Sequence, residues 1–247
     1  MIVLKSRDEI EKMRAANQII REVVERLAGE IKPGVKTVDL DRIAEEMILS
    51  KGARPAFKGY RGYKHTLCTS INEEVVHGIP GDRTLNEGDI IGIDCGVFLN
   101  GFYGDMAKTF AVGKVSKEAE KLLKVTEEAL RIGIDKARAD NRLFDISAAI
   151  QGYVEKHGFS VVREFVGHGI GTSLHEEPQV PNFGEADTGT RLKVGMVMAL
   201  EPMVNIGGWK TKTLSDGWTV VTEDKSLSAH FEHSIAITEE GPDILSS

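Results

Sequence analysis

The chain is poor in cysteine. Cys68 and Cys95 are the only two in 247 residues, and they form neither a disulfide framework nor a metal-ligand spacing. It also lacks any apolar run near the roughly 20 residues of a membrane span. Its opening, MIVLKSRDEI, has no h-region of a secretory signal. An excess of positive charge is missing as well. The formal net charge of −7 argues against nucleic-acid binding as the main business. These absences leave a cytoplasmic globular protein with no membrane and no specific nucleic-acid partner. Composition agrees, with 41% hydrophobic and 28% charged residues. The first helix starts almost at once, so no N-terminal accessory domain is expected, and residues 1–247 read as one domain.

What is present is first a set of helix signals. Ser6-Arg-Asp-Glu9 is a capping box, followed at helical spacing by Ile10, Met13, Ala16, Ile20, Val23, Val24 and Leu27. Gly29 and Pro33-Gly34 end that helix. A second helix is expected from Thr37 to Lys51, with Ile43, Met47 and Ile48 inward and Gly52 as its stop. Two more are expected at about 117–136, capped by Ser116, and 145–157, capped by Asp145. Residues 66–77 read as extended. A short strand is expected from Ile90 to Asp94 and another near Phe102 to Val112. From Ser160 onward, strands alternate with Gly/Pro-rich loops. Helices and strands mix without a βαβ rhythm, which predicts an α+β fold.

The acids are the more telling feature. Asp94, Asp105, Glu201 and Glu232, with His168, each sit among apolar residues or glycine. A lone buried carboxylate is very costly, so buried acids are paired or bind metal. Four acids cannot neutralise one another, whereas two divalent cations would balance them, which points to a two-metal hydrolytic site. Asp94 and Asp105 flank Asn100-Gly101, a hairpin signal. Folding back there sets them opposite or diagonal across an antiparallel pair, although a solvated hairpin with two surface acids would share the pattern. His168 lies in Gly167-His-Gly-Ile-Gly171, where neutral imidazole suits a first-row metal. His175 follows in the same Gly/Pro-bounded loop. Glu201 closes an apolar run just before Pro202. His77 precedes Gly-Ile-Pro80 on a turn leaving a strand. His230 and His233 flank Glu232 and read as outward or supporting groups rather than ligands.

A weak internal echo is visible. Gly88-Asp-Ile-Ile-Gly-Ile-Asp94 and Gly195-Met-Val-Met-Ala-Leu-Glu201 share a glycine, an apolar stretch and an acid. A second acid then begins a strand in each half, Asp105 before Lys108–Val112 and Glu232 before Ser234–Ile237. Two related halves meeting at a shared centre would produce this pattern, and so would chance among short apolar runs.

Together these motifs resemble the bacterial type I methionine aminopeptidases of the creatinase-like, pita-bread family. The resemblance spans essentially the whole chain. It rests on Ser70-Ile-Asn-Glu-Glu-Val-Val-His77-Gly-Ile-Pro, Gly101-Phe-Tyr-Gly-Asp105, Gly167-His168-Gly-Ile-Gly, Leu200-Glu201-Pro and Phe231-Glu232-His in the family's order. Each fragment alone is weak, and the combination is strong. The resemblance implies pseudo-twofold halves with antiparallel sheet covered by helices. It implies that Asp94, Asp105, His168, Glu201 and Glu232 ligate two divalent ions (Co, Mn, Fe or Zn), with Asp105 and Glu232 bridging. His77, His175 and Glu201 would be catalytic, and both histidines would contact substrate near the scissile bond. Tyr60, Tyr63, Cys68 and Trp218 would form the methionine pocket. The implied substrate is the N-terminal peptide of nascent polypeptides with a small second residue. A monomer, and contact with the ribosome near the exit tunnel, are further expectations. Two positions depart from the pattern. Arg61 and Leu174 replace a histidine and an aromatic found in some relatives.

Overall fold

A computed structural model describes residues 1–247. Its first half is a sheet of β1 (Arg54–Pro55), β2 (Leu67–Ile71), β4 (Ile90–Leu99) and β5 (Phe102–Ala111), with β4 bonded to the other three. Helices α1 (Arg7–Ala28) and α2 (Thr37–Ser50) pack on it. The second half is a five-stranded sheet in the order β15 (Pro242–Ile244), β14 (His233–Ile237), β9 (Val197–Leu200), β7 (Gly167–Gly169), β8 (Glu176–Val180). Helices α3 (Lys117–Lys136) and α4 (Leu143–Lys156) join its core. Two smaller sheets complete the molecule. One is β13 (Ser228–His230), β10 (Met203–Asn205) and β6 (Ser160–Val161). The other is β11 (Thr211–Thr213), β12 (Val220–Thr222) and β3 (Glu74–Val76). Every strand pair is antiparallel. The α+β, two-halved expectation holds.

Local chemistry explains the element ends. Ser6 caps α1 with both arms of the capping box, and Gly29 closes it. Met13, Ala16, Ile20, Val23, Val24 and Leu27 are all buried, one apolar stripe on one helix face. In α2 the stripe sits one position off the expectation. Leu40, Ala44 and Ile48 are buried, while Ile43 and Met47 lie at its half-buried margin. The start of α4 also differs. Asp145 is not the cap but the third helical residue, and its carboxylate accepts the backbone N–H of Arg142 at 2.7 Å. The extended stretch at 66–77 is broken by Asn72, whose φ of 59° turns β2 into β3. The strand expected to end at Asp94 runs on to Leu99.

The Asn100-Gly101 hairpin forms as the sequence predicts. Both residues have positive φ, 51° and 88°, the conformation a two-residue turn with right-twisted strands requires. Leu99 faces Phe102, and the register continues to Asp94 opposite Ala107 and Gly96 opposite Asp105. Asp94 and Asp105 are therefore diagonal neighbours on one face. Asp105 lies inside β5 rather than ahead of a later strand.

The internal echo is structural. Gly88 and Gly195 both take left-handed backbone, φ 95° and 89°. Gly88 donates its N–H to Val112 at 3.0 Å, and Gly195 donates to Ile237 at 2.9 Å, the equivalent bond in each half. The halves are stitched where their second acids meet. Ser234 Oγ donates to the Asp105 carbonyl at 2.8 Å, and the Glu232 N–H donates to Ala107 at 2.8 Å. That seam places all four acids at the junction.

Candidate active site

Asp94 and Asp105 enter the junction from the β4–β5 hairpin, and Glu201 and Glu232 from the facing ends of β9 and β14. The register pairs Leu200 with His233, so each acid lies one residue beyond a paired end. His168 comes from β7, beside Ala199 of β9. The glycines flanking it serve close strand approach. A Cβ on Gly167 would sit 2.4 Å from the Ala199 carbonyl oxygen, and one on Gly169 2.2 Å from that of Glu177.

The donor set fits divalent metal. His168 Nδ1 is 2.9 Å from the Gly169 carbonyl oxygen, which only accepts, so the ring hydrogen is on Nδ1. That leaves the Nε2 lone pair facing carboxylates, 3.5 Å from Glu201 Oε1 and 3.8 Å from Asp105 Oδ2. Donor atoms of Asp105, His168 and Glu232 all lie within 4.8 Å of one another. Asp94 Oδ1, Asp105 Oδ1 and Glu232 Oε1 are buried without a hydrogen-bond partner. Electron-pair donors converging with no donor hydrogen between them form a cation site.

Electrostatics agree. Burial pushes the Asp94 carboxyl up to about 7. Burial, then the charges of Asp94 and Glu201, hold Asp105 well above its usual range. Burial and Asp94 do the same for Glu201. Burial and the other three acids raise Glu232. The histidines move down. Burial and His175 take both His77 and His168 to about 4, and burial and Arg61 lower His175. All three imidazoles are neutral near pH 7.

A cavity of about 180 Å³ joins the acids to the rest of the expected residues. His77, His175, Tyr60, Tyr63, Cys68 and Trp218 line it with the five acid and imidazole groups. Tyr60 Oη and His175 Nδ1 are 2.9 Å apart, so a phenol donating there leaves His175 Nε2 as the N–H donor. His77 has left-handed backbone, φ 61°, strain of the kind concentrated at functional sites. Gly78 makes that turn possible, since a Cβ on it would meet the Thr69 carbonyl oxygen at 2.2 Å. The Tyr63 ring packs edge-on to Trp218, centroids 4.9 Å apart. Leu174 is buried in the wall, and Arg61 stands at the edge with its guanidinium 5.4 Å from the Tyr60 ring centre.

Phe57 escaped the sequence reading, and His230 was read only as outward or supporting. Phe57 lines the cavity, packed where a Cβ on Gly96 would be, 2.6 Å from its ring. His230 is buried, not outward, with Nε2 3.6 Å from Glu201 Oε2 and 3.9 Å from Glu232 Oε2. The i, i+2 spacing of an extended stretch would put residues 230 and 232 on one side, a signal that could have favoured it, although the strand breaks at 231–232. His233 points elsewhere, with Nδ1 2.8 Å from Ser246 Oγ. A larger groove of about 620 Å³ lies beside α3. Its Glu127 and Glu128 are paired with Lys108 and Arg131, so its acids are compensated.

Comparison with known proteins matches this geometry. The metallopeptidase family M24 matches residues 11–239. A methionine aminopeptidase of Clostridium perfringens is 56% identical over 245 residues, covering 99% of this chain and 98% of that one. Methionine aminopeptidase 1 of Bacillus subtilis is 55% identical over 245 residues, covering 99% of both. The crystal structure of methionine aminopeptidase from Rickettsia prowazekii superposes with a TM-score of 0.99 at 43% identity, covering 100% of both chains. The chain belongs to metallopeptidase family M24 and, within it, to the methionine aminopeptidases. Its fold is the pita-bread fold of those relatives, and the family and the buried carboxylate–histidine cluster make it a user of divalent metal.

Proposed function

We propose that this protein removes the N-terminal methionine of newly made polypeptides by metal-dependent hydrolysis of the first peptide bond, with a small second residue preferred. The observation that carries this reading is one cavity whose floor is His168 with four acids, Asp105 and Glu232 buried and Asp94 and Glu201 half-buried, and whose wall is Tyr63, Cys68, Leu174 and Trp218. Its volume is below the roughly 300–1,000 Å³ of drug-sized pockets, a size for a single side chain. Aromatic and sulfur groups suit the polarisable thioether of methionine.

Asp94, Asp105, His168, Glu201 and Glu232 would hold two divalent ions, Co, Mn, Fe or Zn. When bound, the ions supply Lewis acidity and offset the charge of the acids. The remaining work belongs to the chain. Glu201, whose burial raises its proton affinity, accepts the proton of the attacking water. His175, its ring oriented by Tyr60, donates an N–H to the carbonyl oxygen as that oxygen becomes an oxyanion, a contribution of roughly 2.7–4 kcal/mol. His77 is neutral above about pH 4, so hydrogen-bonding to the scissile amide suits it better than delivering a proton. The ring of acids and histidines leaves little space past the methionine, which favours a small second residue.

The chain acts as one catalytic domain, residues 1–247, and as a monomer in the cytoplasm. No helix is long and apolar enough to cross a membrane. Nascent substrates imply contact with the ribosome near its exit tunnel, through surface lysines and arginines.

The test is hydrolysis by protein stripped with chelator and resupplied with Mn, Co, Fe or Zn in turn. Met-Ala-Ser, Leu-Ala-Ser and Ala-Pro-Ala are followed by mass spectrometry. Metal-dependent loss of methionine from the first, with little action on the others, is expected. Preferential cleavage of Ala-Pro-Ala would move the protein to the X-Pro peptidases of the same fold.

A further inference from the structure

His230 is the one buried imidazole that the mechanism above leaves unused. Its backbone is fixed by Thr109, whose Oγ1 accepts the His230 N–H at 2.9 Å and donates to its carbonyl at 2.8 Å. Pairing of His230 with Met203 holds the same segment from the other side. Its side chain is 5% exposed, and Nε2 has no hydrogen-bond partner. The two carboxylates nearest that nitrogen are Glu201 and Glu232. Glu201 divides its oxygens, with Oε1 toward His168 and Oε2 toward His230. Glu232 likewise presents Oε2 to His230.

The His168 hydrogen is fixed on Nδ1 by Gly169, but His230 has no such bond, and where no cation intervenes a lone pair pointed at two anionic oxygens is repulsive, whereas an N–H is attractive. The separations of 3.6 and 3.9 Å exceed hydrogen-bond distance, so the bonds require the carboxylates to turn toward the ring. Metal-binding carboxylates are themselves held by hydrogen bonds, and loss of such a partner weakens metal binding.

We propose that His230 is a positioning residue for the metal centre, with its Nε2–H donating to the outer oxygens of Glu201 and Glu232 and fixing both carboxylate planes. The inference rests on the two-ion reading of the site. It assigns His230 no contact with substrate.

The test uses the full chain and two substitutions. His230→Gln keeps an N–H donor of similar reach, and His230→Leu keeps bulk without a donor. Mn²⁺ binding is measured from the electron paramagnetic resonance signal of free ion, alongside steady-state hydrolysis of Met-Ala-Ser. His230→Leu should weaken binding of at least one ion by about 10–100-fold and lower kcat while KM stays near wild type. His230→Gln should restore affinity to within about threefold, a rescue that lost packing alone would not give. Unchanged Mn²⁺ affinity in a folded His230→Leu protein overturns the proposal. Absence of Mn²⁺ binding by the wild type would instead overturn the metal reading beneath it. If His230→Leu does not fold, the wild type still decides. Ring-nitrogen NMR of the Zn²⁺-loaded protein should show the hydrogen of His230 on Nε2, and a hydrogen on Nδ1 overturns the proposal.

Discussion

At the scale of single residues, the proposed mechanism separates proton transfer, at Glu201, from oxyanion binding, at His175. Glu201 carries a carboxyl raised by burial and by Asp94, and His175 carries a neutral ring held by Tyr60. His175→Ala should therefore cost about 10²–10³ in kcat with little change in KM, read from steady-state hydrolysis of Met-Ala-Ser. Glu201→Gln should cost about 10²–10⁴ in kcat even when saturated with metal, and near-normal turnover in that loaded variant would remove Glu201 as the base. These residues were legible because an acid or histidine stood inside an apolar or glycine-rich stretch. Phe57 was not, since an aromatic in a loop has no such contrast, and its partner Gly96 reads as an ordinary strand glycine. His230 was legible only as outward or supporting. It lies in a stretch dense in polar residues, Ser228, Glu232, His233 and Ser234, and only its spacing from Glu232 favours the inward alternative.

At the scale of elements, the loop bearing His175 is held by a buried ion pair remote in sequence. Lys5, 4% exposed in its side chain, pairs with Glu176, the residue after His175. Glu176 also accepts the Ser173 N–H at 3.1 Å, closing the loop on itself. The Lys5 N–H donates to the Gly195 carbonyl at 2.7 Å, so one N-terminal residue ties the His175 loop to the turn that leads to Glu201. Lys5→Met should leave Glu176 half-buried and without its cation, though still accepting the Ser173 N–H. A loss of about 1–3 kcal/mol is expected, between an exposed and a fully buried pair, measured by urea unfolding. A loss below about 0.5 kcal/mol would mean the pair behaves as a surface one. This clamp could not be read from sequence, because residues 5 and 176 meet only through the fold. The ends of α1 and α3 could, because their caps Ser6 and Ser116 are local. The start of α4 misled because Asp145 is as good a cap type as any, and here it reaches back from inside the helix.

At the scale of the whole molecule, two similar halves each spend two buried acids on one seam, and the cost of those acids should dominate the metal-free protein. The acids have folded pKa values above their unfolded ones, Asp94 at about 7. Their contribution is least unfavourable below about pH 4 and worsens as pH rises through 7. His77 and His168 at about 4, and His230 at about 3, are shifted the other way. They contribute stability that is complete above the unfolded value near 6.5 and is lost as pH falls toward 4 and below. Above about pH 7.5 the histidines are neutral in both states, and the acids set the slope, reinforced toward pH 8.5 by the buried Cys68 and Cys95 thiols, which burial also pushes up. The melting temperature of chelator-treated protein should therefore fall between pH 6.5 and 8.5, and added Mn²⁺ should raise it more at 8.5 than at 6.5. A larger Mn²⁺ effect at the lower pH would contradict the assignment of raised pKa values to the acids.

The central claim is that the four acids and His168 are a two-ion centre on which peptide hydrolysis depends. Calorimetric titration of stripped protein with Mn²⁺ at pH 7, repeated in two buffers of different ionisation heat, tests it most directly. Two ions per chain are predicted, with net release of protons as the raised carboxyl groups ionise, and with hydrolysis of Met-Ala-Ser appearing as the sites fill. Failure to bind Mn²⁺, or full hydrolysis by the stripped protein before any is added, would contradict the account.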